Sequence, residues 1–340
     1  MSGSPPRSTV RTGLVLLFGL PRSGTSWLGK IFDSHPGTLY LHEPDKLVRL
    51  SEIPIVLPVD QMGDRIDEIE KLVDPVLANR SPEVNGKRPF FPKSYRSGAR
   101  EWLRRGLLAV TWALPRRQAL RVQIPDLIDP GAPAPRIVWK SISSVGRLGA
   151  LARVLPRPRS LLLVRHPCGQ IASILRGHAA GKFGHALPSE QYRVLEALVN
   201  TERGRAHGLT LDGLRELTPV ERMAWRWVLF LEQALKDVAG LAHCRVVRYE
   251  DVCAHPLEQA RELLAFAGLD WNPQTERFLR ESTDGDSAEY FGVRKDPLHS
   301  MSKWQSELSE EDARDILAVV RRSPAGRLYL EEETGQLDAG

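Results

Sequence analysis

The sequence predicts an α/β protein, in which a central parallel sheet is flanked by helices. Four short apolar runs have the near-continuous hydrophobicity of strands that are buried on both faces of a parallel sheet. These runs are Leu14–Phe18, Ile137–Trp139, Leu161–Val164 and Arg245–Arg248. Helical patterns separate them, and alternating strands and helices are typical of a sheet covered by helices on both sides.

The first helices are predicted from the spacing of apolar residues. Trp27–Ser34 follows the first run, and Leu148–Val154 precedes the third. An apolar stripe at intervals of four residues indicates a longer helix before the fourth run. The stripe consists of Met223, Trp227, Leu231 and Leu235.

Two later helices are predicted from the residues at their ends. Pro256 opens the first of them, which ends at Gly268, as expected for a proline in the first turn and a glycine after the last. Ser309 and Asp312 have the spacing of a capping box, which predicts a last helix that continues to about Val320.

We expect one domain over residues 13–330, with tails at 1–12 and 331–340. Two stretches do not fit the alternation of strands and helices. Residues 46–135 are rich in Pro and Arg and are predicted to form a helical insertion over the sheet. Residues 177–220 are predicted to be irregular and to form a flexible flap.

The composition excludes several classes of protein. The 340 residues are 42% hydrophobic and 26% charged, which argues against a disordered or fibrous chain. Three cysteines without CxxC spacing indicate neither a disulfide framework nor a zinc site. No secretory pattern is recognisable, and every apolar run is far shorter than the roughly 20 residues of a membrane span. We therefore expect a cytoplasmic protein.

The net charge of +5 is concentrated in the middle of the chain. Residues 96–176 contain 15 Arg and Lys but only 3 Asp and Glu. A local cationic excess of this size predicts an anionic ligand.

The loop after the first strand has the composition of a phosphate-binding loop. It contains Gly19, Arg22 and Gly24, and it leads from an apolar strand into a helix. In that context backbone N–H groups and the helix N-terminus converge on an anion. Nucleoside triphosphatases have a lysine where this chain has Thr25. Since no strand ends in a convincing magnesium ligand, we expect a nucleotide bound without metal. A kinase-like triphosphatase and an ordinary strand–turn–helix connection remain as alternatives.

A second anion-binding pair is predicted where the third apolar run ends. Arg165 follows this run directly, and Ser173 comes eight residues later in a predicted helix. The guanidinium can bind a phosphate with two N–H groups while the serine adds a hydroxyl donor.

Together these segments resemble the sulfotransferases that use 3′-phosphoadenosine 5′-phosphosulfate (PAPS). The segment Pro21–Trp27 is similar to their 5′-phosphosulfate loop, and the spacing of Arg165 and Ser173 is similar to their 3′-phosphate motif. The resemblance implies a three-layer P-loop-like fold. It also implies that the loop residues hold the 5′-phosphate and sulfuryl oxygens and that Trp27 lies against the adenine. These loop residues are Arg22, Ser23, Gly24, Thr25 and Ser26.

Two later segments extend the resemblance. Tyr249, in Val247–Asp251, occupies the position of a family tyrosine that approaches the adenine. Lys303, in Ser302–Trp304, matches a segment that closes over the cofactor and reaches the 3′-phosphate. The resemblance covers residues 13–45, 136–175 and 220–320, and it leaves the insertion outside.

The resemblance also suggests the catalytic residues. Lys140 matches the lysine near the sulfuryl group, and Arg22 is the second cation proposed there. Phenol and steroid sulfotransferases have a catalytic histidine where this chain has Ile142, so that base is absent. Glu43 instead matches the glutamate of carbohydrate and tyrosyl-protein sulfotransferases. His42 is the rival base, because a free imidazole has a pKa near 6.5. Neighbours in an extended segment point to opposite sides, so we expect only one of the two in the site.

The acceptor is the least determined part of the prediction. We expect a hydroxyl on a carbohydrate, a glycolipid or a small natural product such as a phenol, with no metal and no nucleic acid involved. Seven arginines with Trp102 and Trp112 among them favour an anionic acceptor, an anionic membrane surface, or a core-facing helix whose outer face is rich in arginine. They are Arg96, Arg100, Arg104, Arg105, Arg116, Arg117 and Arg121. The oligomeric state is not predicted. A non-catalytic anion-binding or membrane-binding protein stays as a further alternative.

Overall fold

A five-stranded sheet forms the centre of the molecule, with every pair of neighbouring strands parallel and the order β2-β3-β1-β4-β5. The strands are β1 Val15–Gly19, β2 Thr38–His42, β3 Arg136–Ser141, β4 Arg159–Val164 and β5 Cys244–Arg248. The structure is a computed structural model that describes residues 13–46, 53–115, 118, 122–182, 186–283 and 297–330. The predicted tails lie outside these residues.

Helices connect the strands and cover both faces of the sheet. Before β4 they are α1 Thr25–Ser34, α2 Ile66–Ala78, α3 Pro82–Asn85, α4 Gly98–Trp112 and α5 Leu148–Val154. Between β4 and β5 they are α6 Pro167–Ala179, α7 Tyr192–Val199, α8 Glu202–Ala206, α9 Leu211–Glu216 and α10 Pro219–Val238. After β5 they are α11 Tyr249–Ala254, α12 Pro256–Phe266, α13 Pro273–Thr283, α14 Pro297–Ser302, α15 Trp304–Glu307 and α16 Glu310–Val320.

The alternation of side chains along β1 divides the core into two layers. Leu16 and Phe18 pack in one apolar cluster, to which α10 contributes Trp225. Val15 and Leu17 pack in the other, with side chains of α1 and α12. Because successive residues of a strand face opposite sides, a fully buried strand must be apolar on both. The predicted α/β class, with a central parallel sheet between helices, is confirmed.

The predicted strands and helices are found within a few residues of their expected ends. The long helix α10 contains the apolar stripe and starts with a capping box between Thr218 and Glu221. The last helix begins after Ser309, whose hydroxyl accepts the N–H of Asp312 at 3.0 Å.

Strand β2 was not among the predicted strands. Its sequence, Thr38–His42, has only three consecutive apolar residues and lies only a few residues after α1. Such a short run carries little periodic signal by itself. The strand forms because it pairs with β3 along its whole length, from Thr38 opposite Arg136 to His42 opposite Lys140.

The prediction that residues 177–220 are irregular is wrong. Short helices α7, α8 and α9 occupy much of this stretch, each fewer than nine residues long. Thr201 and Thr210 cap α8 and α9 by accepting backbone N–H groups. Helices of this length show too few turns for apolar periodicity to reveal them.

No helix in the described ranges is long and apolar enough to cross a membrane.

Candidate active site

The carboxyl ends of the strands open on one cleft of about 780 Å³. Ligands of open parallel sheets bind at this edge, because the loops that follow the strands meet there. Most of the predicted site residues line the cleft. They are Arg22, Gly24, Thr25, Ser26, Trp27, Glu43, Lys140, Arg165 and Tyr249.

The loop between β1 and α1 has the backbone shape of an anion-binding loop. Arg22 has φ 70° and Gly24 has φ 94°, and both are left-handed conformations. Gly24 is the N-cap of α1 and supplies no side chain to cap it. The N–H of Trp27 donates to the Gly24 carbonyl at 3.1 Å, whereas those of Thr25 and Ser26 have no acceptor within the helix and are available to a ligand.

Ser23 stabilises the loop itself. Its hydroxyl donates to the carbonyl of Leu20 at 2.7 Å, and its N–H donates to the same carbonyl at 3.1 Å. The side chain is buried and is not part of the cleft wall. The structure therefore does not bring the Ser23 hydroxyl to the predicted ligand.

Gly24 is required by close packing as well as by its backbone angle. A Cβ atom at this position would lie 2.3 Å from the ring of Tyr249. Tyr249 begins α11, its ring is 6.4 Å from that of Trp27, and the guanidinium of Arg165 lies over it at 4.6 Å. The ring thus joins the loop to the second predicted anion-binding segment.

The two predicted anion-binding segments form one cluster. Arg22 Nε donates to Ser173 Oγ at 3.0 Å, and Arg165 Nη1 donates to the Arg22 carbonyl at 2.9 Å. Arg165 Nη2 donates to the Ser300 carbonyl at 2.8 Å. Arg165 Nε is buried and has no acceptor in the described part of the chain. A buried donor without a partner costs free energy, so this atom suits an anionic ligand.

Sequence reasoning missed two residues that hold this cluster. Trp227 Nε1 donates to the carbonyl of Arg165 at 3.1 Å. Ser300 belongs to α14, and it lines the cleft where Lys303 was expected. Neither has a sequence signal beyond the helix that carries it.

Lys303 does not reach the cleft. Its Nζ lies 3.7 Å from Glu307 Oε1, one turn later in the chain, and its side chain is 40% exposed. Of the region around the predicted closing segment Ser302–Trp304, it is Ser300 that lines the cleft.

Glu43 and Lys140 form an ion pair at the end of β2. Lys140 Nζ donates to Glu43 Oε1 at 2.5 Å, and the N–H of Glu43 donates to the Lys140 carbonyl at 2.8 Å. Lys46 Nζ lies 4.0 Å from Glu43 Oε2. Burial lowers the pKa of Lys140, and the neighbouring Glu43 opposes that shift. A carboxylate and an ammonium group are thus held together at the cleft wall.

His42 and Glu43 both face the cleft, so the expectation that only one of them does is wrong. Glu43 has φ 50°, and this left-handed turn ends the alternation of β2. His42 Nε2 consequently lies 3.5 Å from Glu43 Oε1. Its Nδ1 lies 2.9 Å from the hydroxyl of Tyr40. Burial above all, with Lys140 next, lowers the pKa of His42 well below 6.5.

The cleft is also lined by cations that the sequence did not single out. They are Lys46, Lys87, Arg88, Lys182 and Arg226. Arg226 Nη1 donates to Gln191 Oε1 at 3.0 Å, and burial lowers its pKa to about 10. These residues come from distant segments, so only the fold brings them together.

The four described arginines of the arginine-rich segment do not line the cleft. Arg96 and Arg105 bind Glu101 at 2.5 and 2.8 Å, and Arg100 binds Asp129 at 3.0 Å. Arg104 is buried and donates to the backbone and side chain of Asn85. The prediction of an arginine-rich outer face is therefore wrong for Arg96 and Arg104, which are buried, whereas the side chains of Arg100 and Arg105 are each 38% exposed. Arg116, Arg117 and Arg121 lie outside the described residues.

The described residues contain no cluster of three or more His, Cys, Asp or Glu side chains that could hold a metal ion.

The fold and the cleft define an α/β protein with a P-loop-like anion site and an adjacent carboxylate–ammonium pair. Residues 15–273 match the sequence model of the sulfotransferase family, and the chain belongs to this family.

Curated relatives resemble one part of the chain. Carbohydrate sulfotransferase 3 of Homo sapiens is 32% identical over 124 residues, which are 35% of this chain and 25% of that protein. Carbohydrate sulfotransferase 3 of Mus musculus is 28% identical over 152 residues, 43% of this chain and 28% of that protein. The matched part thus spans about a quarter of the length of these relatives. Among solved structures, the sulfotransferase domain from the curacin biosynthetic pathway is similar with a TM-score of 0.41 and 13% identity. The similarity covers 89% of this chain and 95% of that domain.

Proposed function

We propose that the protein transfers the sulfuryl group of PAPS to an acceptor hydroxyl, with Glu43 as the general base. The observation that carries this proposal is that the Glu43–Lys140 pair and the Arg22–Arg165 cluster line the same cleft. A proton acceptor beside an anion-binding site is what transfer of an anionic group to a hydroxyl requires.

The residues present fit PAPS as the donor. Arg22 and the N–H groups of Thr25 and Ser26 at the start of α1 would hold the 5′-phosphosulfate. Arg165, whose Nε has no acceptor in the described part of the chain, and Ser173 would hold the 3′-phosphate. Trp27 and Tyr249 would contact the adenine. When bound, PAPS supplies a sulfuryl group activated by its bond to a phosphate oxygen.

The chain's own residues would position the acceptor and stabilise charge. Glu43 Oε2 would take the proton of the acceptor hydroxyl, since Oε1 is occupied by Lys140. Lys140 and Arg22 supply fixed positive charge near the reacting atoms, where charge stabilisation in a partly buried cleft is most effective.

His42 is better suited to orient Glu43 than to act as the base. Burial raises the pKa of Tyr40 well above 10, so its hydroxyl keeps its proton and is able to donate in the hydrogen bond to His42 Nδ1. A neutral imidazole that accepts at one nitrogen carries its proton on the other. With Tyr40 as the donor, the imidazole proton would be on Nε2, which lies 3.5 Å from Glu43 Oε1.

The acceptor is proposed to be a carbohydrate, a glycolipid or a small natural product. The partial similarity to carbohydrate sulfotransferases supports a sugar hydroxyl. The additional cations of the cleft lining, among them Arg226 and Lys182, favour an acceptor that carries an anionic group near that hydroxyl.

Two measurements test this function. Calorimetric titration without metal ions should detect binding of adenosine 3′,5′-bisphosphate and little binding of Mg-ATP. A mass-spectrometric screen of sugars, glycolipids and phenols with PAPS should then find a product heavier by one SO₃ group. Binding of Mg-ATP alone would instead favour a triphosphatase. Nucleotide binding without any turnover would favour a non-catalytic protein.

A further inference from the structure

Helix α4 turns an apolar face to the solvent. Of the eight large hydrophobic side chains that are exposed in the described residues, five lie between residues 102 and 114. Trp102 is 76% exposed, Leu103 55% and Val110 64%. Small exposed residues complete the same face, namely Ala99, Gly106, Ala109 and Ala113. This spacing of three and four residues makes one continuous stripe along the helix.

The opposite face of α4 is buried, and two of its three buried side chains are polar. Arg104 is only 6% exposed, and Leu108 and Thr111 lie beside it. The usual arrangement of an amphipathic surface helix is therefore inverted. A contiguous exposed apolar surface of this kind marks an interaction site.

Cations border the apolar face. Arg100 and Arg105 flank it, with side chains that are each 38% exposed. The guanidinium of Arg88 lies over the ring of Trp112 at 4.4 Å. The one acidic residue of the helix, Glu101, is engaged by Arg96 and Arg105.

We propose that this face docks on an anionic lipid bilayer. A helix that lies in the plane of a membrane interface has apolar residues such as Trp, Leu and Val on one face and basic residues along the borders of that face. Arginines at the edges of such a helix keep their charge at the headgroups while their aliphatic parts stay in contact with the apolar surface. Tryptophan also favours the interface, since its ring is amphipathic.

A second copy of the chain is the less favourable occupant. In a two-fold contact through this face, the bordering arginines of one copy would approach those of the other. Anionic headgroups supply the complementary charge instead.

Docking through α4 would bring the rim of the cleft to the lipid surface. Arg88 contacts Trp112 and also lines the cleft. If the proposed function holds, an acceptor anchored in the bilayer could enter the cleft from this side. The docking itself does not depend on that function.

The test is sedimentation of the purified full chain with vesicles. We expect binding to an equimolar mixture of phosphatidylglycerol and phosphatidylcholine, and much weaker binding to phosphatidylcholine alone. The double variant Trp102→Gln, Val110→Gln should reduce partitioning into the mixed vesicles about tenfold or more, since it removes apolar area from the contact. High salt should also weaken the binding, because the headgroup contribution is screened.

Ile66→Gln is the matched control, because Ile66 is 46% exposed on a different helix. It should bind vesicles like the unchanged protein, and both variants should retain the unchanged affinity for adenosine 3′,5′-bisphosphate. Absence of vesicle binding, or binding that the double variant leaves intact, overturns the proposal. Sedimentation equilibrium adds a third outcome: a dimer that the double variant dissociates would assign the face to a second copy instead.

Discussion

Two arginine-rich regions of this molecule use their charge in opposite ways. Around the β1–α1 loop, Arg22 and Arg165 bind neighbouring backbone and hydroxyl groups but still line the cleft. Arg96, just before α4, and Arg104, within it, are buried against a carboxylate and a carbonyl, and apolar side chains of the helix face the solvent. The number of arginines in a segment therefore does not reveal where their charge is directed. Position at the carboxyl end of a parallel strand does, because these ends meet at the ligand site.

The largest effect is expected at the carboxylate of the cleft. Glu43→Gln should lower kcat about 10²-fold or more, the size of a general-base contribution, because an amide cannot take the acceptor proton. Its affinity for adenosine 3′,5′-bisphosphate should remain, since the amide oxygen that replaces the carboxylate can still accept from Lys140. Turnover with PAPS and calorimetric titration measure the two quantities.

The histidine beside it provides the comparison for this variant. His42→Gln should lower kcat by less than about tenfold if His42 only orients Glu43. A loss at His42 that exceeds the loss at Glu43 would assign the base to the histidine.

A smaller effect is expected at the nucleotide end of the cleft. Arg165→Gln should weaken binding of adenosine 3′,5′-bisphosphate about 30-fold, which corresponds to ~2 kcal/mol for a charge-assisted hydrogen bond. Arg165→Lys keeps the positive charge but loses the planar guanidinium, so its affinity should lie between that of the unchanged protein and that of Arg165→Gln. Calorimetric dissociation constants measure the series. An unchanged affinity in Arg165→Gln would remove this residue from the phosphate site.

The arginines of α4 should behave differently. Arg104→Met keeps most of the side-chain volume but removes the donor to Asn85, so it should lower the free energy of unfolding by about 1–3 kcal/mol. Affinity for adenosine 3′,5′-bisphosphate should not change. Arg105→Met, at a half-exposed ion pair, should cost less than about 1 kcal/mol. Urea denaturation gives both values, and a nucleotide-binding defect in Arg104→Met would contradict the division between the two regions.

Most of the fold could be predicted because its signals are local. Buried strands such as Leu161–Val164 are apolar on both faces, and caps such as Ser309 are set by adjacent residues. Strand β2 and helices α7 to α9 escaped prediction because they are short and gain their stability from pairing, capping and packing. In these elements the tertiary contacts outweigh the local pattern.

The residues of the candidate site that lie at the ends of strands could be predicted from the sequence. Arg22 and Arg165 follow the predicted strands β1 and β4, and the family resemblance indicated Glu43, just after β2, and Lys140, near the end of β3; all four line the cleft. Arg226 lies in the middle of α10, and only packing turns it into the cleft. His42 and Glu43 both face the cleft because Glu43 has a left-handed backbone conformation. The alternation of side chains along a strand does not predict this conformation. The inverted orientation of α4 likewise depends on Asn85, in a different helix.

Arg22 and Glu43 share a backbone feature that matters for engineering. Both have left-handed φ angles, 70° and 50°, and such a conformation costs a non-glycine residue about 1–2 kcal/mol. Glycine would relieve this strain at either position, but it would also remove the side chain that the cleft uses. Selection of a variant library for thermal stability alone would therefore favour glycine at these two positions and give a stable but inactive protein. Any such selection should retain a screen for turnover.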